Sequence, residues 1–128
     1  LLVRKKKMKN PSSVVFTASI SAYENVAPAN GIYGASKSAL STYMKYAALE
    51  LAGKGIRCNA VHPGRIQTPL IENRLLTAEE IAKDIDMYPL KRYGKPEEVA
   101  HAIIYLLSDA SSWITGSNLV IDGGRSLK

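Results

Sequence analysis

The sequence predicts an α/β fold with a parallel sheet, because short apolar runs alternate with helical patterns along the chain. Three runs rich in β-branched and apolar residues predict buried strands, at about residues 14–18, 56–61 and 118–122. Each run ends in small or polar residues, as strands do where an open parallel sheet meets a ligand. With 128 residues, 46% of them hydrophobic, the chain is long enough for one domain. We expect three strands and three or four helices.

The first strand leads directly into Ser19, with Ser21 two residues further on. A hydroxyl at the carboxyl end of a parallel strand can form a hydrogen bond with a substrate oxygen. Serine at a strand end also often serves only to cap a turn. Ser19 is the better candidate of the two serines, because it lies closer to the end of the predicted strand.

The first helix is predicted from about Ile32 to Gly53, and it carries Tyr33 and Lys37 one turn apart on the same face. A free phenol has a pKa of about 10, too high for efficient proton exchange at neutral pH. A neighbouring ammonium favours the phenolate and lowers the pKa, which would make an acid/base for an alcohol oxygen. The same spacing also occurs on ordinary solvated helix faces. An apolar stripe on this helix predicts a buried face, made of Leu40, Tyr43, Met44, Ala47, Ala48 and Leu51.

The second strand leads into a turn with the sequence His62-Pro63-Gly64-Arg65-Ile66-Gln67-Thr68. Pro63 fixes its own φ, Gly64 lets a ligand approach the backbone closely, and Thr68 adds a hydroxyl. A Pro-Gly pair by itself is common punctuation between elements. We expect His62 to have a packing or surface role rather than to touch a ligand. Cys58, the only cysteine, is expected to be a buried structural thiol, with no disulfide or metal cluster.

Two further helices are predicted between the second and third strands. One begins near Thr77, whose spacing to Glu80 matches a capping box. The other begins after Lys95, with Pro96 at its first position, and ends near residue 108. Four of its residues are expected to face the core, namely Val99, Ile103, Leu106 and Leu107. Trp113 follows in a loop, where packing is the expected role. The third strand ends in a glycine-rich turn, Asp122-Gly123-Gly124.

Taken together and in this order, these motifs resemble the C-terminal half of a short-chain dehydrogenase/reductase, from about residue 10 to residue 124. The resemblance implies half of a Rossmann-type doubly wound sheet, with residues 1–10 as the tail of a preceding helix and residues 69–93 as a substrate-covering segment. The motifs that carry it are Ser19, Tyr33-x-x-x-Lys37, Pro63-Gly64-x-Ile66-x-Thr68, Pro89-Leu90-x-Arg92-x-Gly94-x-Pro96-Glu97-Glu98-Val99-Ala100 and Asp122-Gly123-Gly124.

The resemblance implies an NAD(P)-dependent oxidoreductase that interconverts a secondary alcohol and a ketone, with relatives of this appearance often reducing 3-oxoacyl groups. Tyr33 would be the acid/base, and Ser19 would orient and polarise the substrate oxygen. Lys37 would bind the nicotinamide ribose and lower the pKa of Tyr33. The nicotinamide carboxamide of NAD or NADP would be held by the backbone around Pro63, Gly64 and Ile66 and by the hydroxyl of Thr68. In this family the first helix commonly pairs with its copy, which implies a homodimer or homotetramer.

The glycine-rich phosphate loop that the resemblance leads us to expect is not found in the sequence. The nearest candidate, Gly53-Lys54-Gly55, lacks a third glycine and enters a strand instead of opening a helix. We therefore expect a fragment with the first half of the domain absent and inactive alone. The strand at 14–19 would then present an unpaired edge, leaving the fragment marginally stable or prone to associate. The alternative is a non-catalytic remnant that serves as a binding or oligomerisation module.

The net charge of +6 comes mostly from one basic run near the start of the chain, formed by Arg4, Lys5, Lys6, Lys7 and Lys9. Such a run can indicate nucleic acid or membrane contact, but a solvated helix end explains it more simply. Aromatic residues that could stack on bases do not interleave with it. Without an apolar run of membrane length or a signal peptide, we expect no membrane partner and a cytoplasmic location.

Overall fold

The computed structural model of the chain describes residues 11–22, 28–72 and 77–128. The basic run and the predicted helix tail at 1–10 lie outside these ranges. Three parallel strands form one sheet in the order β1-β2-β3, namely β1 (Ser12–Thr17), β2 (Ile56–Pro63) and β3 (Asn118–Ile121). The α/β fold with a three-stranded parallel sheet is therefore confirmed.

The register of the sheet brings the carboxyl ends of all three strands to one edge. Thr17 at the end of β1 lies opposite Val61 in β2, and Pro63 at the end of β2 lies opposite Ile121 in β3. Strand β2 runs two residues further than predicted, so His62 belongs to the strand and not to the turn. Within the described ranges β1 pairs with β2 alone, and its other edge is unpaired as predicted.

Four α-helices connect the strands in the part of the chain that the structure describes. The long helix α1 (Gly31–Ala52) joins β1 to β2, and α2 (Pro69–Glu72), α3 (Ala78–Asp86) and α4 (Pro96–Leu107) follow in order before β3. The predicted capping box at the start of α3 is present. Thr77 Oγ1 accepts a hydrogen bond from the Glu80 backbone at 3.2 Å, and Glu80 Oε2 accepts one from the Thr77 backbone at 2.7 Å. The Gly53-Lys54-Gly55 segment is a turn that enters β2, which agrees with its rejection as a phosphate loop.

The core lies between α1 and the sheet. Only some residues of the apolar stripe predicted on this helix are buried in it. Met44, Ala47 and Ala48 are buried, and they pack against Ile56, Cys58 and Ala60 of β2. Leu40 and Leu51 are half-buried, and Leu51 packs against this cluster. The expectation for Tyr43 is wrong, because its side chain is 63% exposed and only its ring edge meets the Phe16 ring.

Two expectations for α4 and the loop after it are also wrong. Leu106 is buried, but Leu107 is 48% exposed, because it lies about 100° further round the helix and borders an open cavity. Trp113 is 99% exposed. It lies with Leu107 beside an open cavity of about 560 Å³, and none of the described residues covers its ring. The described helices include none that is both long and apolar enough to cross a membrane.

Candidate active site

A cleft of about 420 Å³ opens where the carboxyl ends of the strands meet the start of α1. Its volume lies within the range of about 300–1,000 Å³ that is typical of small-molecule sites. Five of the seven predicted site residues line it, namely Ser19, Tyr33, Gly64, Ile66 and Thr68. Ser19 and Thr68 lie 49 positions apart in the sequence, and the parallel sheet brings both to this cleft. Lys37 and Pro63 are not part of its lining.

Ser19 lies in the segment that follows β1, and this segment is held in place by backbone hydrogen bonds. Its side chain is largely buried, with 8% of the residue exposed, at the base of the cleft. Ser19 Oγ accepts a hydrogen bond from the Ser21 backbone at 3.2 Å, so the hydroxyl hydrogen is left to donate to a ligand. Ser21 also lines the cleft, which keeps the alternative serine in the site.

Tyr33 lies in the first turn of α1 with its side chain open to the cleft. The residue is 46% exposed, and its hydroxyl forms no hydrogen bond with any residue in the described ranges. Lys37 Nζ lies 5.6 Å from the centre of the Tyr33 ring, which places a positive charge beside the phenol. The same amine donates to the carbonyl oxygen of Thr17 at 2.9 Å, which ties Lys37 to the end of β1.

Gly34 explains how α1 approaches the loop that carries the serines. A Cβ atom at this position would lie 2.8 Å from the carbonyl oxygen of Ser21, closer than a side chain tolerates. The lack of a side chain therefore lets the first turn of α1 pack directly on the loop. This close packing brings Tyr33 and Ser19 to the same cleft.

The turn after β2 forms another wall of the cleft. Gly64 donates its backbone N–H to the carbonyl of Ile121 at 2.9 Å, and a Cβ atom there would lie 2.9 Å from Asp122 Cβ. Further along, the chain pairs with the segment around Gly94 through a bridge at Ile66. Thr68 follows this bridge at the rim. These contacts give the turn one backbone conformation, with Ile66 and Thr68 facing the cleft.

The cleft also has a charged wall that sequence reasoning missed. Arg65 forms an ion pair with Asp84 of α3 at 2.6 Å, and the Tyr93 hydroxyl donates to the same carboxylate at 2.7 Å. Tyr88 is buried, and its hydroxyl accepts a hydrogen bond from the Arg65 backbone at 3.3 Å. Burial raises the pKa of Tyr88, so this phenol remains protonated at neutral pH. Through these contacts α3 is attached to the turn after β2.

Arg125 completes this side of the cleft, and it too was not predicted. It directly follows Asp122-Gly123-Gly124, the turn at the end of β3. The rule that ligands bind at the carboxyl ends of parallel strands was applied to Ser19 and to residues 63–68, and it would have identified Arg125 as well. No comparable sequence signal marks Tyr88. It follows no strand, and only the tertiary fold brings it to the turn after β2.

His62 and Cys58 are both buried in β2, in agreement with the packing role and structural role expected for them. His62 Nδ1 donates to the carbonyl oxygen of Ser19 at 2.9 Å, since a carbonyl can only accept. Its Nε2 lies 3.0 Å from Ser41 Oγ of α1 and 3.0 Å from the side-chain amide of Asn118 in β3. Burial raises the pKa of the Cys58 thiol, which keeps it in its unreactive protonated form. The described residues contain no group of side chains suited to bind a metal.

Comparison with known proteins places this architecture among oxidoreductases. Residues 2–126 match a family model described as enoyl-(acyl carrier protein) reductase. The chain is 44% identical over 116 residues to a cyclohexanol dehydrogenase from an Acinetobacter species, and 45% identical over 118 residues to a 3-oxoacyl-[acyl-carrier-protein] reductase from Thermotoga maritima. These matches cover 91% and 92% of the chain but only 44% and 46% of the relatives. The chain thus spans a little under half the length of these two proteins.

Solved structures agree with the sequence matches. A short-chain dehydrogenase family protein from Francisella tularensis superposes with a TM-score of 0.87 at 32% identity, covering 97% of this chain and 55% of that one. Thermoplasma acidophilum aldohexose dehydrogenase superposes with a TM-score of 0.84 at 34% identity, covering 95% of this chain and 50% of that one. From the family model, the sequence identities and the shared fold, it follows that the chain belongs to the short-chain dehydrogenase/reductase family.

Proposed function

We propose that the intact protein is an NAD(P)-dependent oxidoreductase that interconverts a secondary alcohol and a ketone. The observation that carries the proposal is the convergence of two hydroxyls and a cation. Ser19 and Tyr33 line one cleft, and Lys37 Nζ lies 5.6 Å from the Tyr33 ring. The family to which the chain belongs consists of oxidoreductases that use nicotinamide cofactors, and this supports the proposed reaction type.

In this proposal the protein positions the substrate oxygen and moves one proton. Tyr33 donates its proton to the carbonyl oxygen during reduction and takes a proton from the alcohol during oxidation. Ser19 donates a hydrogen bond to the same oxygen, which stabilises the negative charge that develops there. Lys37 holds a positive charge beside the phenol, and the Thr17 carbonyl keeps that charge in place.

The residues around the cleft fit the nicotinamide end of NAD or NADP, which supplies the hydride when bound. The backbone of the turn after β2 lines the cleft and can meet an amide, and Gly64 leaves room for its approach. Lys37 would hold the ribose hydroxyls. The residues proposed to hold the carboxamide are Pro63, Gly64, Ile66 and Thr68. The proposal covers both cofactors, because the nicotinamide end of NAD and NADP is the same.

The segment from 69 to 93 is proposed to cover the substrate. Ile71 and Tyr88 of this segment line the cleft, and the ion pair between Arg65 and Asp84 joins it to the turn after β2. Residues 73–76 of the segment lie outside the described ranges. The substrate of the protein would be a small carbonyl or alcohol compound. This agrees with the cyclohexanol, 3-oxoacyl and aldohexose enzymes among the relatives.

Assembly and location complete the proposal. We expect a homodimer or homotetramer that buries the exposed apolar residues of α1, among them Tyr43, Tyr46 and Leu49, which are 63%, 62% and 80% exposed. We also expect a cytoplasmic enzyme. The alternative is a non-catalytic binding or oligomerisation module, which would bind ligand or assemble without turnover.

Replacement of Tyr33 by phenylalanine tests the proposal and separates it from the alternative. Acid/base catalysis by a positioned side chain contributes about 10²–10⁴-fold, so Tyr33→Phe should reduce kcat by that factor. Cofactor affinity should stay within a few fold, because the ring remains. Tyr105→Phe is the matched control, since it removes a hydroxyl from an exposed tyrosine on α4 that does not line the cleft. Steady-state kinetics of the intact protein against a panel of ketones, with each cofactor, measures both. Full activity in Tyr33→Phe would remove this residue from its role, and no turnover by the unaltered protein would favour the module.

A further inference from the structure

We propose that Arg125 binds an anionic group, a carboxylate or a phosphate, carried by the substrate whose carbonyl or alcohol meets Tyr33. This inference rests on the proposed function and narrows its substrate class. Arg125 belongs to the short helical turn Arg125–Leu127 that follows β3, and its half-buried side chain lines the same cleft as Ser19 and Tyr33.

The charges that line the cleft do not cancel. The charged residues among the lining are Arg65, Asp84 and Arg125. Arg65 is neutralised by Asp84 at 2.6 Å. Arg125 forms no ion pair with any residue in the described part of the chain, so one positive charge in the cleft is left without a counterion. A half-buried charge of this kind gains more from an anionic ligand than a fully solvated charge does, because the surrounding dielectric is lower.

The carboxylate nearest in sequence is occupied by other donors. Asp122 Oδ1 accepts the backbone N–H of Gly124 at 2.9 Å, and Oδ2 accepts that of Ser126 at 2.7 Å. Asp122 therefore stabilises the turn through its backbone contacts, and it forms no ion pair with Arg125. The guanidinium forms no hydrogen bond with any residue in the described ranges, so its donors can serve a ligand in the cleft that it lines. A guanidinium binds carboxylate and phosphate groups through two parallel hydrogen bonds, which makes arginine well suited to this task.

The backbone that carries Arg125 is held by hydrogen bonds and close packing, which fixes the point beside the cleft from which its side chain extends. Arg125 donates its N–H to the Asp122 carbonyl at 3.2 Å, and Leu127 donates to the Gly124 carbonyl at 3.1 Å. Gly124 has a φ of 83°, a left-handed conformation that favours glycine. A Cβ atom on it would also lie 2.9 Å from Pro89 Cγ. The turn is thus packed against the segment that leads out of α3.

Tyr88 provides a second donor for the same anion. Tyr88 lines the cleft, and its hydroxyl accepts from the Arg65 backbone at 3.3 Å, so its own hydrogen can be donated. Tyr88 and Arg125 line the same cleft, and burial raises the pKa of Tyr88, so its hydroxyl stays protonated and can donate. An anion between them would be held by a cation and a neutral donor.

The test compares matched acid and ester substrates in the intact protein. Pairs such as acetoacetate and methyl acetoacetate, or 2-oxo acids and their methyl esters, present the same ketone with and without a charge. We expect the unaltered protein to prefer the acid of its best pair. Arg125→Gln should lower kcat/KM for the acid by at least about tenfold, the equivalent of a charge-assisted hydrogen bond of roughly 1.5–3 kcal/mol. The ester should change by less than threefold. Arg125→Lys should recover part of the loss, because it keeps the charge.

Lys128→Gln is the matched control, since it removes a positive charge three residues away that does not line the cleft. Equal losses for acid and ester in Arg125→Gln would overturn the inference. A raised KM for the cofactor with an unchanged acid-to-ester ratio would also overturn it, and would identify a cofactor phosphate as the anion that Arg125 binds.

A protein that turns over no member of the panel would refute the proposed function and not this inference. In that case titration calorimetry with acetoacetate and with inorganic phosphate decides the matter. Arg125→Gln should bind the better of these two anions at least about tenfold more weakly than the unaltered protein. Equal affinity in the two proteins, or no binding of either anion by the unaltered protein, would exclude an anion subsite at Arg125.

Discussion

Replacement of His62 by leucine should destabilise the protein and displace Ser19, because one buried imidazole joins four parts of the fold. The ring contacts the Ser19 carbonyl after β1, Ser41 of α1 and Asn118 of β3, while its own backbone belongs to β2. No part of the residue is exposed to solvent. Leucine has a similar volume, so the substitution removes polar contacts with little change in packing.

The magnitude follows from the partners that leucine would leave behind. The Ser41 hydroxyl lies on a helix and can turn to a carbonyl of the preceding turn, and the Ser19 carbonyl still accepts from Ala22 at 3.0 Å. The half-buried Asn118 amide loses its 3.0 Å partner. A net hydrogen bond contributes about 1 kcal/mol, and an orphaned buried group costs about 1–3 kcal/mol. We therefore expect a loss of about 2–4 kcal/mol, a large part of the roughly 5–15 kcal/mol of a typical domain.

Urea denaturation of the intact protein, followed by far-ultraviolet circular dichroism, measures this free energy. His101→Leu is the matched control, because His101 lies exposed on α4 and the same chemical change there should stay within about 0.5 kcal/mol. His62→Asn provides a second comparison. Its amide nitrogen can replace Nδ1 as donor to the Ser19 carbonyl, so it should recover more catalytic activity than His62→Leu.

The reasoning would be refuted if His62→Leu and His101→Leu unfolded at the same urea concentration with equal slopes. The buried network would then contribute nothing net to stability. Normal kcat in His62→Leu would separately show that the position of Ser19 does not depend on the ring.

Two further predictions concern the turn after β2 and the response to acid. Gly64→Ala should lower the free energy of unfolding by about 1–3 kcal/mol through overpacking, because the added Cβ would lie 2.9 Å from Asp122 Cβ. Gly31→Ala is the control in the same urea assay. Its added Cβ meets nothing within 4 Å, so the substitution should be neutral. Hydrogen bonds, chiefly from Arg92, lower the pKa of Glu98 to about 2 from 4.5. Its stabilising contribution is therefore complete above pH 4.5 and is lost as the pH falls towards 2. The difference in Tm between the unaltered protein and Glu98→Gln should disappear over that interval, and a difference that persists at pH 2 would contradict the assignment.

Most of the elements could be predicted from the sequence because their signals are local. The capping box at Thr77 and Glu80 depends on residues three positions apart, and the start of α4 at Pro96 depends on the fixed φ of proline. Alternation of apolar runs with helical patterns was enough for the three parallel strands. Errors occurred where exposure depends on distant packing, as with Tyr43, Leu107 and Trp113.

The candidate site could be predicted in part for a related reason. Ser19 and the turn after β2 follow strand ends, and parallel pairing brings strand ends together whatever lies between them. Tyr33 and Lys37 were predicted from their helical spacing. Arg65, Asp84 and Tyr88 were missed because their contacts join residues from separate elements, and no spacing in the sequence encodes an ion pair between positions 65 and 84.

By itself, therefore, the sequence determined the class of fold, the family and the side chains available for proton transfer. These follow from local periodicity, local turn chemistry and the order of short motifs. Only the tertiary structure decided which charges find no counterion among the described residues, as at Arg125, and which polar groups become structural, as at His62. The physical reason is that charge compensation and burial are properties of the groups surrounding a residue, and those groups come from elements far apart along the chain.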